Sequence, residues 1–366
     1  MEHIALGLTT YKALAISGLT RHQYYYKPKT NRRHVGPKQS RTTKCLVNGI
    51  TEEHDNIKVV DKLRINHSDP DLHYGYQRMT ASLQINGYLI NHKKVYRLMK
   101  AHDLLRDKKQ RAPKKYVQYR ILIPSGPLEG LEMDIKFIWI ESERRHGYIL
   151  TILDVFTRVA LAWHIGISIT QQTVKEVWTK VIEEHLEEHD MRNKGIGIEI
   201  RNDNDPRFSA KSVQQFFADN YLNQVFTHPY TPQENGHIES FHAILGRSLN
   251  RRHFVTLLQA ENHLHEFYYK YNNIRLHGST AKLPAMTFWD QWNKGNINRI
   301  ATEKRKVKFK LNIPYQSLSG NGHSEGVFCL NQEAINGLSD LYETEDIGAD
   351  NLLQPSVQRS PSVASC

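Results

Sequence analysis

The chain is poor in cysteine, with 3 in 366 residues, at Cys45, Cys329 and Cys366, and no CxxC pair among them. That excludes a disulfide framework and a thiolate zinc site, an N-terminal zinc finger included, and fits a reducing compartment. No apolar run approaches the roughly 18 residues that cross a membrane, and no charged-then-apolar leader opens the chain. The expectation is a cytoplasmic protein with no membrane partner. Acidic residues are also short, 38 Asp+Glu against 49 Lys+Arg, for a formal charge of +11 and a pI near 9.3. The deficit is segregated: residues 1–120 carry 24 Lys+Arg against 9 Asp+Glu, whereas residues 311–366 carry 1 against 7. A basic N-terminal half facing an acidic C-terminal end points to an anionic polymer, double-stranded DNA, as the partner of the first 120 residues.

Four segments follow from the patterning. In 1–50 a short helical pattern from Tyr11 to Ser17, a turn at Gly18 and a second short run suggest a small helix-turn-helix, followed by a Lys/Arg/Pro-rich linker over 27–44. In 51–120, apolar residues recur at helical spacing: Ile57, Val60, Leu63 and Ile65, then Met79, Leu83 and Ile85, then Val95, Leu98 and Met99. The turn at Asn86-Gly87 makes the last two helices a helix-turn-helix whose second helix, 91–101, presents Lys93, Lys94, Arg97 and Lys100 to a major groove, with Arg78 on the first. A second basic linker covers 106–120. Over 121–300 the spacing predicts strands at 131–141, 148–155 and 159–168, a helix at 170–187, a strand at 195–201, a helix at 210–219, a strand at 222–227 and a helix at 235–249. That order is an α/β domain with a mixed sheet flanked by helices. Residues 301–366 read as a polar, acidic tail expected to be disordered.

Three carboxylates stand out within the α/β segment. Asp134 sits in the β-branched and aromatic run Leu131-Glu132-Met133-Asp134-Ile135-Lys136-Phe137. Asp203 ends Ile198-Glu199-Ile200-Arg201-Asn202-Asp203, and Glu239 follows the loop Pro232-Gln233-Glu234-Asn235-Gly236-His237-Ile238, with thirty-five residues between the two. Hard carboxylate oxygens spread over three elements suit magnesium, which takes oxygen ligands and keeps room for substrate phosphate.

These segments resemble the D, D, thirty-five, E signature of the retroviral-integrase superfamily, and in detail the OrfB-type transposases of bacterial insertion sequences. Leu153-Asp154-Val155-Phe156-Thr157-Arg158, Tyr271-Asn272-Asn273-Ile274-Arg275-Leu276-His277 and the helical stretch from His73 to Met99 are similar to that family as well, so the resemblance runs over about residues 70–290. It implies a ribonuclease H-like catalytic domain preceded by a helix-turn-helix. The implied activity is metal-dependent DNA strand cleavage and strand transfer, with two Mg²⁺ ions (Mn²⁺ substituting) held by Asp134, Asp203 and Glu239. It also implies action in a bacterial cytoplasm at the nucleoid, as a homo-oligomer on paired element ends, with an upstream helix-turn-helix protein as a possible fusion partner. Asn235, His237 and Arg247 become candidate DNA contacts, with His242 beside them. The alternative is a DNA-binding regulator, or an inactive host-adopted relic, built on the same domains.

Two positions depart from the family pattern: Asp205 stands where related transposases usually place glycine, and Gly246 stands where they place a basic residue, Arg247 coming one later. Asp154, at a strand end, reads as a structural partner of Arg158. A rival motif, His185-Leu186-Glu187-Glu188-His189, fits the H-x-x-E-H pattern of inverse zincins. It ends a Glu-rich helix with the apolar stripe Val174, Val177, Trp178, Val181, Ile182 and Leu186, and so reads as a solvated face.

Overall fold

The computed structural model describes residues 6–26, 39–106, 122–191, 193–195, 197–228, 231–302 and 306–320. Both linkers fall largely outside these residues, as does the tail from 321 onward. Two compact units divide at Arg41/Thr42. The first holds α1 (Thr10–Ser17) and α2 (Arg21–Tyr25); Gly18, at φ +66°, ends α1, and Thr20 opens α2 with a reciprocal capping box to Gln23.

The second unit begins with a hairpin, β1 (Thr42–Val47) and β2 (Ile50–Asp55), joined by Asn48-Gly49 with both residues at positive φ, and leads into α3 (Asn56–Ser68), α4 (Tyr76–Ile85) and α5 (His92–Ala101). The expected helix-turn-helix pair is α4 and α5, with Asn91 capping α5 through the Lys94 amide at 2.9 Å. Its turn lies against β1. Leu46 N donates to Gly87 O at 2.9 Å and Leu89 N to Lys44 O at 2.8 Å, and a Cβ on Gly87 would meet Leu46 O at 2.4 Å.

Next comes a five-stranded sheet in the order β5-β4-β3-β6-β7, formed by β3 (Gly130–Ile140), β4 (Arg145–Asp154), β5 (Ala160–Gly166), β6 (Ile198–Asn202) and β7 (Leu222–Phe226). β3 lies antiparallel to β4 and parallel to β6, so the sheet is mixed, as the spacing predicts. Alternation along β3 gives each face its own core. Leu131, Met133 and Ile135 pack with Val174, Val177, Trp178 and Val181 of α6 (Gln171–Val181) and with Val213 and Phe217 of α8 (Lys211–Asp219), which follows the short α7 (Pro206–Ser209). Ile138 and Ile140 pack on the other face with α9 (Gly236–Leu249) and α10 (Leu257–Asn273). The three layers, helices on both faces of a mixed sheet, are the ribonuclease H-like architecture.

The α/β segment does not stop at 300. α11 (Ala285–Asn293) is followed by a hairpin, β8 (Ile297–Thr302) and β9 (Lys306–Leu311), and by a 3₁₀ turn at Tyr315–Gly320. The boundary drawn at 301 cuts through that hairpin, so residues 301–302 and 306–320, assigned to the tail, are folded. Their anchors are Ile297, Phe309, Leu311, Tyr315 and Leu318, which join one cluster with Val59, Leu63, Met79, Val95 and Met99 of the helical segment and with Phe156, Leu276 and Phe288. The N-terminal boundary moves too, since 42–50 belong to the β1–β2 hairpin. Helical segment and α/β segment therefore share a core.

Candidate active site

Asp134 stands in the middle of β3 opposite Thr151, Asp203 follows the last residue of β6, and Glu239 is in the first turn of α9. The last residues of β6 are held by bonds on either side: Thr227 N donates to Asn202 O at 3.0 Å and Asn204 Nδ2 to Thr227 O at 3.0 Å. Asp134 is half-buried, while Asp203 and Glu239 are exposed at the sheet's rim. The three converge. Desolvation by surrounding protein lifts the Asp203 carboxyl above its ordinary range, and the charge of Asp134 lifts it further; Glu239 is raised by the same two causes. Asp134 thus faces both of the others across two element boundaries. Among the described residues no three His, Cys, Asp or Glu side chains stand close enough to hold an ion as placed. Magnesium sites built on a few carboxylates normally complete their shell with water and substrate phosphate.

Side chains around the triad support it. His242, one turn beyond Glu239 on α9 and only 8% exposed, sets Nδ1 at 3.2 Å from Asp134 Oδ2, and its Nε2 is buried without a hydrogen-bond partner. Asp205 caps α7 at φ −57°, accepting from Arg207 N at 2.8 Å and pairing with its guanidinium. No positive-φ turn is made there, which is why Asp serves in place of glycine. The pairing with Arg207, through hydrogen bonds first, pulls the Asp205 carboxyl below the usual range, while the Asp205 amide donates to Asp203 Oδ1 at 3.1 Å.

The other family-like motifs are structural. Asp154, fully buried, accepts from the amides of Leu128 (3.2 Å), Phe156 (3.3 Å) and Thr157 (2.8 Å) and from the Thr157 hydroxyl, closing the turn after β4. No side-chain hydrogen bond joins it to Arg158, whose backbone N bonds Asp154 O at 2.9 Å; the two are neighbouring charges. Asn272 brackets edge strand β5 by bonding both N and O of Ala160 at 2.9 Å. The His185/His189 motif ends in a π-turn (Ile182–Glu187), where His185 bonds Leu161 O at 3.3 Å and both rings pack on Trp289.

The predicted DNA contacts divide. Lys93 and Lys100 are exposed and Arg97 half-exposed on α5, while Arg247 is exposed on α9. Lys94 is turned aside, its Nζ donating to Thr42 O at 2.6 Å, and Arg78 donates to Leu276 O at 3.1 Å while stacking 4.9 Å over Tyr74. Asn235 is buried, and His237 is held neutral, its pKa pushed down to about 3 by burial first and then by Arg158 and Arg201. Lys94 and Arg78 thus bond within the fold, a role that the i, i+3, i+4 reading of a basic helix cannot separate from a solvent-facing one.

An integrase core domain family matches residues 124–232, a second integrase core family matches 220–284, and an HTH-like domain family matches 52–112. Residues 124–284 of this chain are an integrase core. The chain is similar to proteins of insertion elements. One is an uncharacterized 39.2 kDa protein of insertion element IS476 from Xanthomonas euvesicatoria, 28% identical over 59% of this chain and 60% of that protein. Another is an uncharacterized 31.7 kDa protein of insertion element IS407 from Burkholderia multivorans, 25% identical over 59% of this chain and 75% of that protein. The chain therefore spans less than two thirds of the Xanthomonas protein. Among solved structures, the HTLV-2 integrase catalytic core domain in complex with magnesium aligns at a TM-score of 0.34 and 14% identity, over 45% of this chain and 97% of that one. The Mos1 mariner transposase catalytic domain aligns at 0.35 and 13%, over 46% and 76%. At those scores the likenesses carry no weight of their own, and the integrase core rests on the sheet order and the family matches.

Proposed function

We propose that this integrase-core protein is a DNA transposase that cuts and joins strands at the ends of a mobile element, with Asp134, Asp203 and Glu239 as its catalytic carboxylates. The observation that carries the reading is that Asp134, in the middle of β3, lies within electrostatic reach of both Asp203 at the end of β6 and Glu239 in the first turn of α9. Their donor chemistry fits two Mg²⁺ ions, or Mn²⁺ in their place, because carboxylate oxygens are hard ligands and two of the three are open to solvent and substrate. Such ions, when bound, would stabilise charge on the attacking and leaving oxygens of an in-line phosphoryl displacement.

The chain's own part is to hold those carboxylates and the DNA. His242 fixes the Asp134 carboxylate from one side. The exposed rim at Asp203 and Glu239 admits a phosphodiester, with water the nucleophile in cleavage and the freed 3′-hydroxyl in joining, so no covalent protein intermediate is needed. Lys93, Arg97 and Lys100 on α5 would follow the groove of an element end, and Arg247 on α9 would hold a phosphate nearer the carboxylates. The working form on paired ends would be a homo-oligomer at the bacterial nucleoid, with an upstream helix-turn-helix protein as a further partner.

The test is strand cleavage and joining by the full chain on duplexes taken from the DNA flanking its reading frame, with Mg²⁺ or Mn²⁺. Metal-dependent cleavage lost in Asp134→Asn, Asp203→Asn and Glu239→Gln supports the assignment. End binding without any metal-dependent cleavage would favour a regulator with an inert core.

A further inference from the structure

We propose that Glu132 is a positioning residue, which caps the helix carrying Glu239 from the strand carrying Asp134 and so sets the spacing between those two carboxylates. The proposal rests on the reading of the triad given above. Glu132 lies two residues before Asp134, on the same face of β3. Its side chain is 1% exposed, and its Oε2 accepts a hydrogen bond from Ile238 N at 2.6 Å, across 106 residues of chain. Ile238 is the third residue of α9 and the immediate neighbour of Glu239.

A helix leaves its first amides without intrahelical partners, and a local Ser, Thr, Asp or Asn usually accepts from them. α9 has no such cap: Asn235 stands at the N-cap position but makes no side-chain capping bond, and its Oδ1 is buried without a partner. The carboxylate of Glu132 takes that place and also receives the backbone of His237. Burial pushes the Glu132 carboxyl up to about 7, and the bond from Ile238 N and the guanidiniums of Arg158 and Arg201 hold back that rise. Arg201, 3% exposed, is itself fixed to Glu199 at 2.6 Å and to Glu234 O at 3.2 Å, so the loop leading into α9 is tied to the same cluster. A carboxylate at a fully buried position of β3 has no packing rationale, and its short bond goes to the turn that presents Glu239.

Two conservative variants of the full chain separate the clamp from the charge. Glu132→Asp keeps the charge beside Arg158 and Arg201 but shortens the arm by one methylene, so it no longer reaches Ile238; Glu132→Gln keeps the reach and an acceptor oxygen but drops the charge. Amide hydrogen exchange across 236–240, read without metal, should speed up by about tenfold in Glu132→Asp, the loss of one helix cap, while protection of β3 and β4 stays at the wild-type level. Metal-dependent cleavage should fall with it, and Glu132→Gln should stay close to wild type in both. Unchanged exchange over 236–240 in Glu132→Asp overturns the proposal. So does a loss of protection spread evenly over the sheet, or a Glu132→Gln that suffers as much as Glu132→Asp. If Glu239→Gln cleaves at the wild-type rate, the triad reading fails, while the exchange comparison still decides whether Glu132 caps α9.

Discussion

Replacing Tyr74 by Phe should weaken the whole second unit, because Tyr74 is where the helical segment grips the α/β segment. Its ring is 2% exposed and its hydroxyl accepts from Leu276 N at 2.9 Å, with Leu276 itself 1% exposed. Burial pushes the phenol up to about 12, so it stays protonated throughout the working pH range. The bond has company: Arg275 donates to Asp71 O, Ser248 to Asp71 Oδ2 at 3.3 Å, and Lys270 pairs with Asp69 at 3.4 Å. Removing one oxygen leaves the Leu276 amide buried and unpaired, which costs about 1–3 kcal/mol. For a unit of this size each kcal/mol lowers Tm by about 2–4 °C, so the midpoint should fall by about 2–12 °C. Since helical and α/β residues share one cluster, the loss should appear as a shift of a single transition in calorimetry. A midpoint within about 1 °C of wild type, or a transition that splits in two already in the wild type, would refute this reasoning. The same shared core means that a 1–120 fragment lacks Leu276, Phe288, Phe309 and Tyr315 from its own packing, so DNA binding by the helical segment belongs in the full chain.

Lys93→Ala with Lys100→Ala should weaken DNA binding in titrations at several salt concentrations and reduce the log–log salt slope by about 1.8, about 0.9 for each phosphate that is no longer neutralised. Lys94→Ala should instead lower Tm, since its ammonium is bonded to Thr42 O; a slope change equal to that of the double variant would overturn the division. Gly87→Ala should destabilise by about 1–3 kcal/mol in urea unfolding, because φ is +86° and the new Cβ meets Leu46 O at 2.4 Å; a neutral result would contradict the turn's packing on β1. His277 and His263 are pushed down to about 3 and about 4, each by burial first, so between these values and 6.5 the unfolded chain binds protons the folded chain refuses. Stability should therefore be full above pH 6.5 and fall on acidification toward pH 4 by about 1.4 kcal/mol per unit for each histidine; a Tm that rises on acidification would contradict it.

The sheet and its helices were legible because their cores are written as runs: Ile149 to Leu153 in β4, the Val174–Leu186 stripe in α6, and the loop-to-helix switch at Gly236. Hairpins β1–β2 and β8–β9 were missed because their strands are short and rich in Lys, Arg, Glu and Thr, although Asn48-Gly49 is a two-residue hairpin turn and β9 alternates lysine with Val307, Phe309 and Leu311. The order of the carboxylates was legible from spacing and family likeness, but their supports were not. His242 on Asp134 and Glu132 on Ile238 are contacts between distant elements, and no local periodicity encodes them. One signal for Glu132 was present: a carboxylate at an inward position of an apolar strand asks for a buried partner. Arg78 misled for the converse reason, because its acceptor, Leu276 O, lies 198 residues away.

The central claim is that Asp134, Asp203 and Glu239 act as one metal-dependent site, and single-turnover strand cleavage by the full chain tests it most directly. With Mg²⁺ or Mn²⁺ and a duplex from the flanking DNA, Asp134→Asn, Asp203→Asn and Glu239→Gln should each lose cleavage while binding that duplex as the wild type does and unfolding at a similar temperature. Cleavage at the wild-type rate by any one of the three, with binding intact, would contradict the account.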